Sequence, residues 1–317
     1  MQKISMKLTQ NMTIRNGGDQ FLRWCRLNNY APDTLNFYEQ SLHNFSLFCS
    51  LEEPIERLNA DTMEEYTFFL QKKDISSVTV HCYLRGMKTV IRYLADKGFI
   101  SHFEIILPKT VTPVKEVYTE EELKKLLKKP DVKKCSFAEY RNWVIVNYLL
   151  GTGQRRNTVI NLKIGDIDLP NKLVTLRMTK NKKQTILPLT KTLVAVLEEY
   201  LTYRGGDKED YLFCTWEGKP ITPDGLSNNI RKFNLRRGVD RTAMHLFRHT
   251  FAYLAMKNKM DILKLQRLLC HSRLDTTQKY LRSFGFEELK EDYEQYNPLE
   301  RFMSESEVMH NWKAMRE

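Results

Sequence analysis

The sequence predicts a mainly α-helical protein in two domains, with a small β-sheet or hairpin. Three observations predict it. Apolar residues recur at three- and four-residue steps through most of the chain. One stretch, Leu173 to Met178, alternates instead, and Thr185 to Leu189 supplies its return strand. Residues 101–117 carry Pro108 and Pro113, which break the helical pattern between two blocks. A chain of 317 residues is long enough to bury a core in each block.

Residues 1–13 show no period and read as a loose terminus. The first domain spans residues 14–100. Gly17-Gly18-Asp19 reads as a helix start, with Phe21, Leu22 and Cys25 inward. Leu35, Tyr38, Leu42, Phe45 and Cys49 make a second stripe. Asp61 and Glu64 have capping-box spacing before Met63, Tyr66 and Leu70. Ser77 reads as the cap of a long helix that buries Val80, Leu84, Met87, Val90, Ile91 and Leu94 and stops at Gly98. Its other face carries Thr79, His81, Arg85, Lys88 and Arg92, which by themselves read as a solvated face.

The second domain spans residues 118–286. Thr119 followed by three glutamates reads as a fresh helix start. Arg141 to Leu150 reads as a buried helix ending at Gly151 and Gly153. Arg155 follows near the start of a helix through Leu162. A cation there is mildly disfavoured and an anion favoured, so the position suits a phosphate. Lys180 to Gln184 forms a basic turn between the two strands and includes Lys182 and Lys183. Thr192 to Tyr203 is helical, Tyr211 to Phe213 reads as a short strand, and Pro223 to Leu235 as another helix. Arg231, Lys232, Arg236, Arg237 and Arg241 make that last helix and its sequel basic, as a DNA-lining element is.

Charge narrows the partner. The net charge is +11, yet residues 287–317 carry nine acidic and four basic side chains, leaving +16 on the rest. The body suits a polyanion and the tail does not. Asn297-Pro298-Leu299-Glu300 reads as the capped start of a tail helix. Six scattered cysteines without a Cys-x-x-Cys pair argue against a disulfide framework or zinc ribbon and suit a reducing cytosol. The longest apolar run, Trp143 to Leu150, is short and broken by Asn147, so no membrane span is expected. A cytoplasmic protein without metal or cofactor is the expectation.

The chemistry-bearing residues cluster late. His245 and Arg248 are three apart, so on a helix they share a face. Arg248 offers a planar fork for a phosphate, His271 a second donor, and Tyr280 a phenol. No Glu follows His245, so this is not a zinc-protease helix. Singly, each has an ordinary structural role open to it. Together, His-x-x-Arg-His at 245–249, Leu-x-His ending at His271, and a Tyr nine residues on resemble the tyrosine recombinase (phage integrase) family. Thr152-Gly153-Gln154-Arg155 through Asp166-Ile167-Asp168 looks like that family's first arginine box. Thr179-Lys180 through Leu187-Pro188-Leu189 looks like its lysine hairpin.

The resemblance implies a helical SAM-like core-binding domain and an α+β catalytic domain that clamp double-stranded DNA. It implies a homo-tetramer on two target sites, sometimes with an accessory DNA-bending protein. Its catalytic set falls on Arg155, Lys180, His245, Arg248, His271 and Tyr280. Tyr280 is the implied nucleophile and Lys180 the general acid. The tail either packs on its own domain or docks on a neighbouring protomer. Two positions depart: Thr158 stands where an acidic residue is usual, and Cys270 where Gly usually precedes the final His. Both departures favour the integrase of a mobile element over housekeeping chromosome or plasmid dimer resolution. A type IB topoisomerase and a DNA-binding regulator with an idle pocket are the rival readings.

Overall fold

Polar residues just ahead of each apolar stripe set where the helices begin. The computed structural model describes residues 12–110, 116–177 and 184–278, and the chain divides into two units, Met1–Pro113 and Val114–Glu317. In the first unit, α1 (Ile14–Leu27) is capped by Thr13, whose side chain accepts from the Asn16 N–H. Helix α2 (Pro32–Ser46) opens on a proline, where the absent N–H costs nothing. Asn59 caps α3 (Ala60–Gln71) and Ser76 caps α4 (Ser77–Asp96).

Three sequence expectations shift here. Gly17 and Gly18 lie buried inside α1, not at its start, because Thr13 supplies the cap. Asn59, not Asp61, caps α3, because only Asn59 precedes the first orphan N–H groups. Likewise Ser76, one residue earlier than Ser77, caps α4.

Helix α4 is the spine of this unit and packs against α1, α2 and α3. The shared core holds Phe21, Phe45, Ile55, Tyr66, Leu84 and Met87. Ile105 joins it, and the Lys88 ammonium donates to the Ile105 carbonyl at 2.9 Å. The expected linker therefore starts later than residue 101, because its first apolar residues are worth burying.

The second unit is built around α6 (Phe137–Thr152), which is apolar on nearly every side. A helix of that kind belongs at the centre of a core. It packs against α5 (Glu120–Leu127), α8 (Lys191–Arg204), α9 (Pro223–Arg236) and α10 (Met244–Lys257). Thr119 and Glu122 form a complete capping box at α5. A short α7 (Arg156–Ile160) follows α6, and α11 (Ile262–Leu268) and α12 (Asp275–Gln278) follow α10.

A three-stranded antiparallel sheet lies beside these helices, in the order β1 (Ile167–Asp168), β2 (Leu173–Leu176), β3 (Thr185–Pro188). Pairing of Leu176 with Thr185 fixes the hairpin register, with Val174, Leu176 and Leu187 on the buried face. The hairpin gains a third strand that the sequence pattern did not suggest. Tyr211 to Phe213 is not a strand: only an isolated bridge joins Lys163 to Tyr211. The turn bearing Lys180, Lys182 and Lys183, the residue Tyr280 and the tail lie outside the described residues. Among those described, no helix is long and apolar enough to cross a membrane.

The α2–α4 approach depends on Gly86. A Cβ there would stand 2.0 Å from Ser41 Oγ and 3.3 Å from Phe37 Cζ. Gly86→Ala is expected to destabilise the protein by about 2 kcal/mol, the overpacking penalty outweighing the better helix propensity of Ala. Urea denaturation of the two proteins checks this. A variant as stable as the parent would mean the helices are not that close.

Candidate active site

The site is made where three helix ends meet. Helix α6 stops at Gly153, which adopts a left-handed φ of 61°. A Cβ at Gly153 would lie 2.4 Å from Phe251 Cδ1 and 2.9 Å from Leu269 Cδ2, so this turn is pressed onto α10 and onto the end of α11. Gln154, buried, staples it there by donating to the Leu268 carbonyl at 2.8 Å. The next residue, Arg155, is the N-cap of α7 and not part of a helix running to Leu162. Its guanidinium is half-buried, and among the described residues no hydrogen bond or ion pair holds it.

Arg248 sits at the centre. It rises from α10 and is only 4% exposed. Nη1 donates to the Gly153 carbonyl at 2.8 Å. Nη2 donates to the Leu269 carbonyl at 2.7 Å and to His271 Nε2 at 2.7 Å. His271 is buried too, and its Nδ1 lies 2.9 Å from Thr277 Oγ1.

The turn that carries His271 is a Schellman motif. The His271 N–H donates to Gln266 O and the Cys270 N–H to Arg267 O, both at 3.0 Å. Cys270 therefore takes φ 51°, the left-handed conformation that favours glycine. Burial pushes the Cys270 thiol up, against the pull of the Arg248 and Arg155 guanidiniums. The thiol thus lies within the electrostatic reach of both cations, and Thr185, the first residue of β3, acts on it too. Its sulfur lies 3.9 Å from the Leu268 carbonyl.

Arg155, Arg248 and His271 are therefore brought together. His245 lies on the exposed side of the first turn of α10, its ring 6.5 Å from that of His249. Lys180 and Tyr280 lie outside the described residues. Lys180 falls in the connection from β2 to β3, and Tyr280 three residues after Thr277.

The sequence of residues 116–285 matches the model of the phage integrase family, and residues 19–105 match that of the phage integrase SAM-like domain. The chain belongs to the phage integrase family. It is accordingly a tyrosine recombinase, an enzyme that breaks and rejoins DNA strands. Tyrosine recombinase XerD of Listeria innocua is 26% identical over 84% of this chain and 93% of its own length. Tyrosine recombinase XerA of Thermococcus kodakarensis is 28% identical over 90% of this chain and 97% of its own. The fold is also that of the Tn1549 transposon integrase solved with a circular intermediate DNA. That match has a TM-score of 0.75 and 18% identity, over 90% of this chain and 99% of the other.

The candidate DNA-binding residues of this family member divide by what they already hold. Arg231, Lys232, Arg236 and Arg85 are exposed. Arg237 donates to the carbonyls of Lys125 and Lys128 and covers Phe233, and burial lowers its pKa. Arg241 donates to the Val117 carbonyl at 2.6 Å and faces Glu116 and Glu122. His81 bonds Pro108 O at 3.2 Å, Lys88 bonds Ile105 O, and Thr79 shares a hydrogen bond with the Ser76 cap. These five serve the fold where they stand.

Two supports escaped sequence reasoning. One is Thr277. The other is Asp166, buried, whose carboxylate accepts from the Lys163 N–H at 2.8 Å and from Arg177 Nε. Arg177 directly follows β2, so this pair ties down the root of the lysine turn. A buried acid with a basic partner eleven residues on gives no periodic signal. A polar residue breaking an otherwise apolar box was the available clue.

Cys270→Gly removes the Cβ from a left-handed position. It is expected to stabilise the protein by about 1 kcal/mol in chemical denaturation. No gain, or a loss, would show that the thiol's contact with the Leu268 carbonyl and its burial outweigh the backbone strain.

Proposed function

We propose that this chain is a site-specific recombinase that cuts and rejoins double-stranded DNA through a 3′-phosphotyrosyl intermediate. The observation that supports it best is the gathering of Arg155, Arg248 and His271 around one place. A phosphodiester carries one negative charge, and its pentacoordinate transition state about two. Arg248, fixed beforehand, stabilises that added charge without reorganising, and Arg155 supplies a second positive charge. Arg155, held by no described partner, is ready for a non-bridging oxygen. Arg248 is bound through uncharged groups, two carbonyls and an imidazole.

In the proposed reaction Tyr280 Oη attacks phosphorus and the 5′-oxygen leaves. His245 takes the phenol proton, and Lys180 gives a proton to the departing 5′-hydroxyl. The phosphotyrosyl bond conserves the energy of the broken one. Attack by a partner strand's 5′-hydroxyl then releases Tyr280 without ATP or a metal ion. Exposed Arg231, Lys232, Arg236 and Arg85, with Lys182 and Lys183, contact phosphates and so position the duplex without reading its sequence. The working assembly is a homo-tetramer on two DNA sites.

Among uses of this chemistry, integration and excision of a mobile element is the one we favour. Thr158 and Cys270 depart from the usual pocket residues, and the fold is shared with a transposon integrase bound to DNA. Resolution of chromosome or plasmid dimers is the second reading, favoured by the full-length likeness to XerD and XerA. DNA trapped on the protein in its native cell separates them: element ends support the first, one fixed chromosomal site the second.

With a nicked suicide substrate, the wild-type protein is expected to give a DNA adduct that survives SDS, is lost to protease, and forms in EDTA. Tyr280→Phe is expected to bind DNA normally and give none. Lys180→Ala is expected to be slow on ordinary DNA and restored on a 5′-phosphorothiolate, whose sulfur leaves without a proton. An adduct from Tyr280→Phe, or a wild-type requirement for Mg²⁺, would overturn the mechanism. Failure of the phosphorothiolate rescue would place the acid elsewhere.

A further inference from the structure

The geometry points to Thr277 as a positioning residue that fixes the tautomer and orientation of His271. A guanidinium has only donors, so the 2.7 Å contact from Arg248 Nη2 makes His271 Nε2 the acceptor. A ring accepting there is neutral and carries its hydrogen on Nδ1. That Nδ1–H donates to Thr277 Oγ1 at 2.9 Å. The other nitrogen's bond decides which nitrogen is protonated. Here the Arg248 contact excludes the opposite tautomer, and the Thr277 hydroxyl, able to donate or accept, is thereby the acceptor that completes the pair.

Burial makes the choice consequential. His271 is 9% exposed and Thr277 1%. An Nδ1–H left there without an acceptor would carry its full desolvation cost. The backbone is fixed as well, since the Schellman turn holds the His271 N–H and Gln266 Nε2 donates to the His271 carbonyl at 3.1 Å. The ring is then held by Thr277 at Nδ1 and by Arg248 at Nε2.

Two consequences follow for cleavage, and only these rest on the recombinase reading. First, Nε2, which carries no hydrogen in this tautomer, holds the Arg248 guanidinium by accepting from Nη2, and so fixes where that guanidinium can meet a phosphate. A ring in the other orientation would present the wrong nitrogen. Second, Thr277 is three residues before Tyr280. The same hydrogen bond therefore anchors the segment leading to the nucleophile against the phosphate pocket.

The test uses the full chain in two measurements. Two-bond ¹H–¹⁵N spectra of the DNA-free protein report the tautomer, with His271 assigned by its loss in His271→Gln. Wild type is expected to show the Nδ1–H form. Thr277→Val, which keeps the shape and removes the acceptor, is expected to lose that preference, and Thr277→Ser to restore it. On the suicide substrate, Thr277→Val is expected to slow adduct formation on the order of ten- to a hundredfold, as loss of an imidazole-orienting partner does elsewhere, with DNA affinity unchanged. Thr277→Ser should recover most of that rate.

An Nε2–H form in wild type, or an unchanged tautomer in Thr277→Val, would overturn the inference. So would a loss of rate that Thr277→Ser does not repair. If Thr277→Val fails to fold, Thr277→Ala, read by the same two measurements, decides. A wild-type protein that shows the Nδ1–H form yet makes no adduct would count against the proposed function, not against this pairing.

Discussion

Arg248 is the residue on which the second unit's geometry depends. A buried guanidinium is expensive unless its hydrogens are matched. Here they find the carbonyls at the ends of α6 and α11, together with the imidazole of His271. The last carbonyls of a helix have no intrahelical partner and carry the negative end of its dipole. Two helix ends that would each lack a donor therefore share one cation. The arrangement puts Gly153, and so Arg155, within reach of the turn that holds His271. In the proposed reaction, binding an anion and holding the fold would be, at this residue, one structural solution.

Such a solution carries a tension. The donors that satisfy helix ends are the ones a phosphate would recruit. Around this cation, the supporting contacts are short and mostly buried: Gln154 to Leu268, the Schellman turn, and His271 to Thr277. They keep the pocket's walls in place even when Arg248 redirects a hydrogen. The left-handed Cys270 belongs to that list, since the turn requires its conformation whatever side chain stands there.

Much of this was legible in the sequence, for identifiable reasons. Helix α6 is apolar almost throughout, and α4 repeats its stripe over five turns, so both are visible from periodicity. The polar boxes stand in a recognisable order, so Arg155, Arg248 and His271 were found together. What was not legible depends on contacts far apart in the chain. Arg248 meets a carbonyl 95 positions earlier, and nothing local says it is buried while His245 is exposed. Cap positions slipped by one or two residues at Asn59 and Ser76 because several polar residues adjoin there. Tyr211 to Phe213 looked like a strand because apolar residues that pack singly into a core also alternate. Charge was the least informative. The basic residues at 237 and 241 look like their neighbours in sequence, yet each is spent on carbonyls of its own domain.

The central claim is that two guanidiniums act by neutralising charge on one phosphate, and Arg155 tests it most cleanly because no described contact holds its side chain. The measurement is adduct formation by Arg155→Ala on two suicide duplexes, one ordinary and one with a neutral methylphosphonate at the scissile position. The account predicts almost no adduct on the ordinary duplex and substantial adduct on the methylphosphonate, where the missing positive charge is no longer needed. A variant equally inactive on both would contradict it and would mean that Arg155 acts through the fold.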